Sequence, residues 1–388
     1  MADEPIPPLP PVERPRSVWP LLFRGAAAAT DPRCLILAGL GLVALRLGWG
    51  GIGRLFGDEP WAGQPWSGRG PIVEPALPVA MIEGRDPFLT RATLPLVELI
   101  RPFDVLFRRD VPVLGRVHAA LAGLWALAVW CLFGGAIARV AVVRVATSGR
   151  VGVLSALRFC LARFGSLIAA PLAPLLVAWL IGLAGAWVGL LARVVPAAST
   201  ALAFVPLIVG LLDAVILIGL VAAWPLMVAT VVADGEDFFD AVSRSYSYVN
   251  QRTFRYLGYV ALAAAIGVVG AVLFGLFMAV AIGLADWCIS LGAVPGVGFR
   301  FAEPASVGSS GLPGLARFWN GTVSTIVAGW TYSYLWSAAA ILYLVLRYEV
   351  DGAEVHDIYE PSHEADAFIP DDPPEPASPT EAASAKPD

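Results

Sequence analysis

Two charged residues stand inside runs of sequence that are otherwise apolar, Arg46 and Asp213. A charge in hydrocarbon costs about 2.5–3.5 kcal/mol on insertion scales, so such a residue is a functional candidate and demands a named partner. Arg46 lies about 12 residues, roughly 18 Å, into its run from one side, and Asp213 about eight residues, roughly 12 Å, from the other. In a bilayer core about 30 Å thick these depths coincide. We expect the Arg46 guanidinium and the Asp213 carboxylate to pair inside a helical bundle.

Other residue types offer less chemistry. The histidines are His118, His356 and His363, the last two in the acidic stretch VHDIYEPSHEAD, which reads as solvated chain more readily than as a metal site. Cys34, Cys131, Cys160 and Cys288 are far apart and form no C-x-x-C pair, so neither zinc nor redox chemistry is signalled. Lys386 is the only lysine, which excludes a phosphate loop of the G-x-x-x-x-G-K-[ST] kind. Neither H-E-x-x-H nor G-x-S-x-G occurs. No cofactor, no metal and no catalytic group is expected, and we read the chain as no enzyme. A net charge of −5 gives no case for nucleic acid.

The elements that must hold Arg46 and Asp213 follow from composition. The chain has 388 residues, 57% hydrophobic and 15% charged, with a mean hydropathy of +0.72. Soluble domains carry about 25% charged residues. A bilayer needs roughly 20 apolar helical residues per span, and six such runs occur, at about 34–54, 118–138, 166–190, 205–231, 257–284 and 321–346. The expected fold is all-α, a polytopic transmembrane helical bundle of about six spans in a membrane domain over 34–347. Residues 1–33, rich in proline, read as a disordered cytosolic leader, and residues 348–388, with twelve acidic residues, as a disordered cytosolic tail. Arginines crowd the 2–3 and 4–5 connections (Arg139, Arg144, Arg150, Arg158 and Arg163; Arg244, Arg252 and Arg255), which places both termini in the cytoplasm. The 55–117 loop then lies outside despite seven arginines, and its 92–109 stretch reads as an amphipathic segment on the outer leaflet, with Pro102 bending or ending any helix there. Abundant alanine and near-absent lysine point to a GC-rich bacterial genome, hence an inner (plasma) membrane.

Both cytosolic connections share a design: a short amphipathic elbow helix, an arginine, then the next span. Ala156 and Arg163 in the first correspond to Ala241 and Arg252 in the second, as an internal repeat would require. In the second, Asp234, Glu236 and Asp237 suit a helix N-terminus, Phe238, Phe239, Ala241 and Val242 are expected to face the membrane, and Arg244 and Ser245 to point elsewhere. Pro225, Asp234, Gly235, Glu236, Ala241, Arg244 and Ser245 together resemble the bacterial integral membrane domains typified by the membrane domain of glycerophosphoryl diester phosphodiesterase. The resemblance covers about 225–275 and implies a six-helix module without assigned activity. Phosphodiesterase activity in that group belongs to a separate soluble barrel that no stretch here could supply.

Two functions stay open. One is a non-enzymatic scaffold or partner subunit of an envelope complex, its partners the lipid bilayer, an envelope protein or a second copy in a homo-oligomer. The other is a transporter or lipid-handling permease that uses Asp213 and Arg46 within the bundle.

Overall fold

A computed structural model describes residues 19–56, 99–106, 108, 111–147, 149–195, 202, 204–292 and 313–359. The described secondary structure is helical: α1 (Leu22–Ala29), α2 (Pro32–Phe56), α3 (Val113–Ala146), α4 (Val153–Ala162), α5 (Phe164–Val194), α6 (Phe204–Asp234), α7 (Phe238–Gln251), α8 (Thr253–Gly292) and α9 (Pro313–Asp351), with a further helical segment at 99–106. The protein is an all-α, membrane-embedded bundle. Five helices, α2, α3, α5, α6 and α8, are long and apolar enough to cross a membrane. Their outward side chains stay apolar, as at Trp179, Trp187, Val215 and Phe277, which suits contact with lipid.

The expected sixth span, α9, has 39 residues but a mixed composition, with Trp330, Thr331, Tyr332, Ser333, Tyr334, Trp336 and Ser337 in succession around one leucine. Its position explains this. α9 packs on α1, α2, α3, α6 and α8, so protein rather than lipid surrounds it. Tyr332 and Trp336 are buried against Trp130 of α3, whose ring stacks on Tyr332 at 4.4 Å and 5°. Gly134 makes room one turn on, because a Cβ there would lie 2.3 Å from Trp336 Cε2.

Helices also meet through polar groups, as they must where no water competes. The Trp49 indole donates to Ala122 O (3.0 Å) and the Trp125 indole to Ala44 O (3.1 Å), two reciprocal bonds between α2 and α3. Pro171 inside α5 removes the amide that would have bonded Leu167 O, and the Cys131 thiol donates to that carbonyl instead (3.1 Å).

Three expectations need correction. Residues 19–33 are not a disordered leader: Leu22, Ala28 and Ala29 are buried, and the small Gly25 lets α1 lie against the α9 backbone at Ala338. Residues 1–18 lie outside the described residues. The tail is ordered through Tyr359, with 360–388 outside the described residues. In the 92–109 stretch, 99–106 is helical with Pro102 inside it, and it belongs to the bundle core through Leu99 and Val105, not to a separate leaflet position. Phe103 sits over Gly123 of α3, where the missing side chain leaves the space.

Both elbows share one build. α4 ends at Arg163 and α7 at Arg252, each a single residue that leaves helical backbone geometry (φ −108°, ψ 17° and φ −132°, ψ 39°) before the next long helix starts. Ala156 and Ala241 are both fully buried, at corresponding places in the two short helices. Span, elbow, arginine hinge and span thus occur twice, as α3–α4–α5 and α6–α7–α8.

Candidate functional site

The acidic glycine turn between α6 and α7 is the most connected point of the elbow face. Three of its residues have distinct tasks set by local structure. Gly235 takes φ +70°, a left-handed conformation that lets its amide bond Val231 O (3.1 Å) and stop α6. Asp237 is the N-cap of α7 and accepts from the amides of Phe239 (2.9 Å) and Asp240 (3.0 Å). Asp234 turns inward instead.

Its carboxylate binds three side chains. Arg347 donates to Oδ1 (2.6 Å), while Tyr343 (2.5 Å) and Arg244 (3.3 Å) donate to Oδ2. Arg244 also holds Glu236 (2.9 Å). The Asp234 and Arg347 side chains are only 9% and 7% exposed. Burial holds the Glu236 carboxyl above its ordinary range, against the pull of Arg244. Burial opposes the charge on Arg244, but the neighbouring acidic groups, Glu236 first, more than offset it and raise its pKa.

The chain beyond α9 closes over this cluster. The last carbonyls of a helix lack internal partners, and here they are satisfied from three directions. Tyr359 N donates to Ala233 O (2.8 Å), Arg139 to Val232 O (2.7 Å), and Arg163 to Gly235 O. Arg139 donates in addition to Tyr359 O (2.7 Å) and lies over the Phe159 ring (4.4 Å), and Arg163 covers the Tyr359 ring (4.6 Å). Arg347 reaches Asp357 O as well. Both elbows, α9 and residues 352–359 are thereby one ionic knot.

Of the motif residues, Asp234, Gly235, Glu236 and Arg244 meet in that knot. Ala241 and Ser245 are fully buried against the bundle, with Ser245 Oγ 3.4 Å from Thr230 Oγ1, so Ala241 does not face lipid. Phe238 and Phe239 are exposed. Arg163 was expected as the elbow arginine and Arg139 only as one of the loop arginines, whereas Tyr343, Arg347 and Tyr359 carried no signal of their own in the sequence. Gly235→Val should cost about 1–3 kcal/mol through its positive φ. It should also dislodge the clamp, because a Cβ would lie 2.6 Å from Tyr359 Cγ. Hydrogen exchange across 352–359 in detergent checks this, and unchanged protection there would refute the clamp.

Arg46 and Asp213 are not brought together: among the described residues no ion pair joins them. α2 packs on α3 and α9, whereas α6 packs on α5, α7, α3 and α9, so α3 and α9 stand between the two charges. Their equal depth said nothing of lateral neighbours. Asp213 instead sits beside Gly182 of α5, where a Cβ would lie 3.6 Å from Asp213 Oδ2. It lines a groove of about 1310 Å³ between the 99–106 segment, α3, α5 and α6, with Leu335 and Trp336 at the back. Ala173, Leu176, Leu217 and Val221 make most of that wall apolar. Asp213 Oδ1 and the Trp336 indole nitrogen are buried and have no hydrogen-bond partner among the described residues.

Other candidates have structural surroundings. His118 is buried and stacks on Phe56 at 4.6 Å. Cys34, Cys131 and Cys160 are buried free thiols, and Cys288 is exposed. Among the described residues no cluster of His, Cys, Asp and Glu could hold a metal. His363 lies outside them. No family model, curated protein or solved structure matches the chain.

Proposed function

We propose that this protein is a non-enzymatic module of a bacterial inner membrane, with both termini in the cytoplasm, that holds a lipid or similar amphiphile between α5–α6 and α3. The supporting observation is the groove itself. Sites for small molecules are mostly apolar with a few placed polar groups, and here a mostly apolar wall around about 1310 Å³ carries Asp213 Oδ1, Arg116 Nε and the indole nitrogens of Trp224 and Trp336, which lack hydrogen-bond partners among the described residues. A head bearing a hydroxyl or amine would donate to the Asp213 carboxylate, and an acyl chain would fill the rest. The resemblance of residues 225–275 to bacterial membrane domains without assigned activity belongs to the same proposal.

The test is native mass spectrometry of the protein from mild detergent. The wild type is expected to carry a stoichiometric lipid, and Ala173→Trp, which fills the groove from a partly exposed wall position, to release it without loss of folded protein. Equal lipid on both proteins, or none on the wild type, would reject the reading.

A second reading, a scaffold or partner subunit of an envelope complex, is favoured by the ionic knot. Rigid connection of both elbows and the chain after α9 would present a fixed cytosolic surface. A stoichiometric protein partner in the same spectra would favour it over the lipid reading.

A further inference from the structure

Besides the knot, the elbow face has a second concentration of arginine, and the groove does not touch it. The end of α1, the start of α2, the end of α3 and the turn before α4 enclose a cavity of about 660 Å³. Arg24, Arg33, Arg144 and Arg150 line it, with Asp31 as the single carboxylate. The site therefore has an excess of three positive charges within one small cavity.

These four guanidinium groups fall into two kinds. Arg33 and Arg144 are held in place by the protein: Arg33 donates to Val151 O (3.1 Å), and Arg144 to Ala27 O (3.2 Å) and Asp31 Oδ2 (3.1 Å). Arg24 and Arg150 are exposed and have neither hydrogen bond nor ion pair among the described residues. Converging like charges repel one another unless an anion sits between them, and guanidinium forks match the geometry of phosphate oxygens.

The walls identify the source of the phosphate. Val140, Val145 and Val151 make one side apolar, which a free ion does not need and a glycerol backbone does. Just before Arg24 in the chain, Trp19 and Phe23 are exposed with ring centroids 6.1 Å apart. Aromatic side chains of that kind settle at the headgroup level of a membrane, and basic pockets between membrane helices suit anionic headgroups. We propose that this cavity binds the phosphate of an anionic phospholipid, with Arg24 and Arg150 as the groups that grip it and Arg33 and Arg144 as the fixed floor.

The test uses the full chain reconstituted in mixed phosphatidylglycerol and phosphatidylcholine nanodiscs, then released for native mass spectrometry, in the wild-type and Ala173→Trp backgrounds so that groove lipid is counted separately. The cavity should retain phosphatidylglycerol over phosphatidylcholine. The Arg24→Gln/Arg150→Gln double variant should lower that preference about thirtyfold. Neither residue makes an internal bond, so the variant should unfold at the wild-type temperature. Arg255→Gln, which removes a charge elsewhere on this face, should leave the preference unchanged. An undiminished preference in the double variant would overturn the proposal. Complete displacement of phosphatidylglycerol by millimolar inorganic phosphate would also overturn it, by assigning the site to the free ion.

Discussion

Asp234→Ala is expected to destabilise the protein by about 3–5 kcal/mol, the usual consequence of stranding one partner of a buried ion pair. The partner that loses its buried carboxylate is Arg347, 7% exposed and bonded to Asp234 at 2.6 Å; it keeps Asp357 O and, at 3.5 Å, the exposed Asp357 carboxylate, so the loss falls at the low end of that range. Tyr343 loses its acceptor at the same time, whereas Arg244 keeps Glu236. Thermal unfolding in detergent would register the change, together with faster hydrogen exchange over 352–359. A second substitution separates the charge from the contact. Buried pairs replaced whole by apolar residues of similar volume are often neutral, so Asp234→Leu/Arg347→Met should recover most of the stability lost by the single variant. If the double variant is no better than Asp234→Ala, a stranded charge is not the cause.

Trp130→Ala should have the next largest effect, about 2–4 kcal/mol. Trp130 is fully buried where α3 meets α9, stacked on Tyr332 and 6.5 Å from Trp336. Transfer from water contributes little here, since lipid tails are as apolar as the side chain. What disappears is van der Waals contact on every side of a large ring. The indole nitrogen has no hydrogen-bond partner among the described residues, so no polar bond is broken and the loss lies below the top of the range for tryptophan truncation. Closed apolar cavities of this kind bind small aromatics, and added indole should restore part of the unfolding temperature. A variant as stable as the wild type would mean that the stack does not organise the bundle.

These two effects come from contacts that the sequence and the fold determine differently. Span positions were legible because transfer free energies are local: a run of uncharged apolar residues costs nothing to insert wherever the rest of the chain lies. The elbows were legible for a related reason, since the switch from apolar run to amphipathic stretch and arginine is contained in about twenty residues, and the structure has α4 and α7 ending at the expected Arg163 and Arg252. α9 shows the limit of that logic. Its hydropathy is the weakest of the long helices because neighbouring helices, not lipid, cover Tyr332, Ser333 and Trp336.

Lateral neighbours are a different quantity. Hydropathy measures depth and is blind to direction around the bundle, so Arg46 and Asp213 looked like a pair and are separated by α3 and α9. The carboxylate that does bind a buried arginine is Asp234, and its partners Tyr343 and Arg347 lie 109 and 113 residues further along the chain. The order of helices around the bundle depends on how ridges, glycine gaps and aromatic rings from distant segments fit, as Gly134 fits Trp336 and Gly235 fits Tyr359. By itself the sequence determined which segments enter the membrane and where they bend. Only the tertiary structure decided which charges meet, because shape complementarity between segments far apart in the chain is not a local property of any of them.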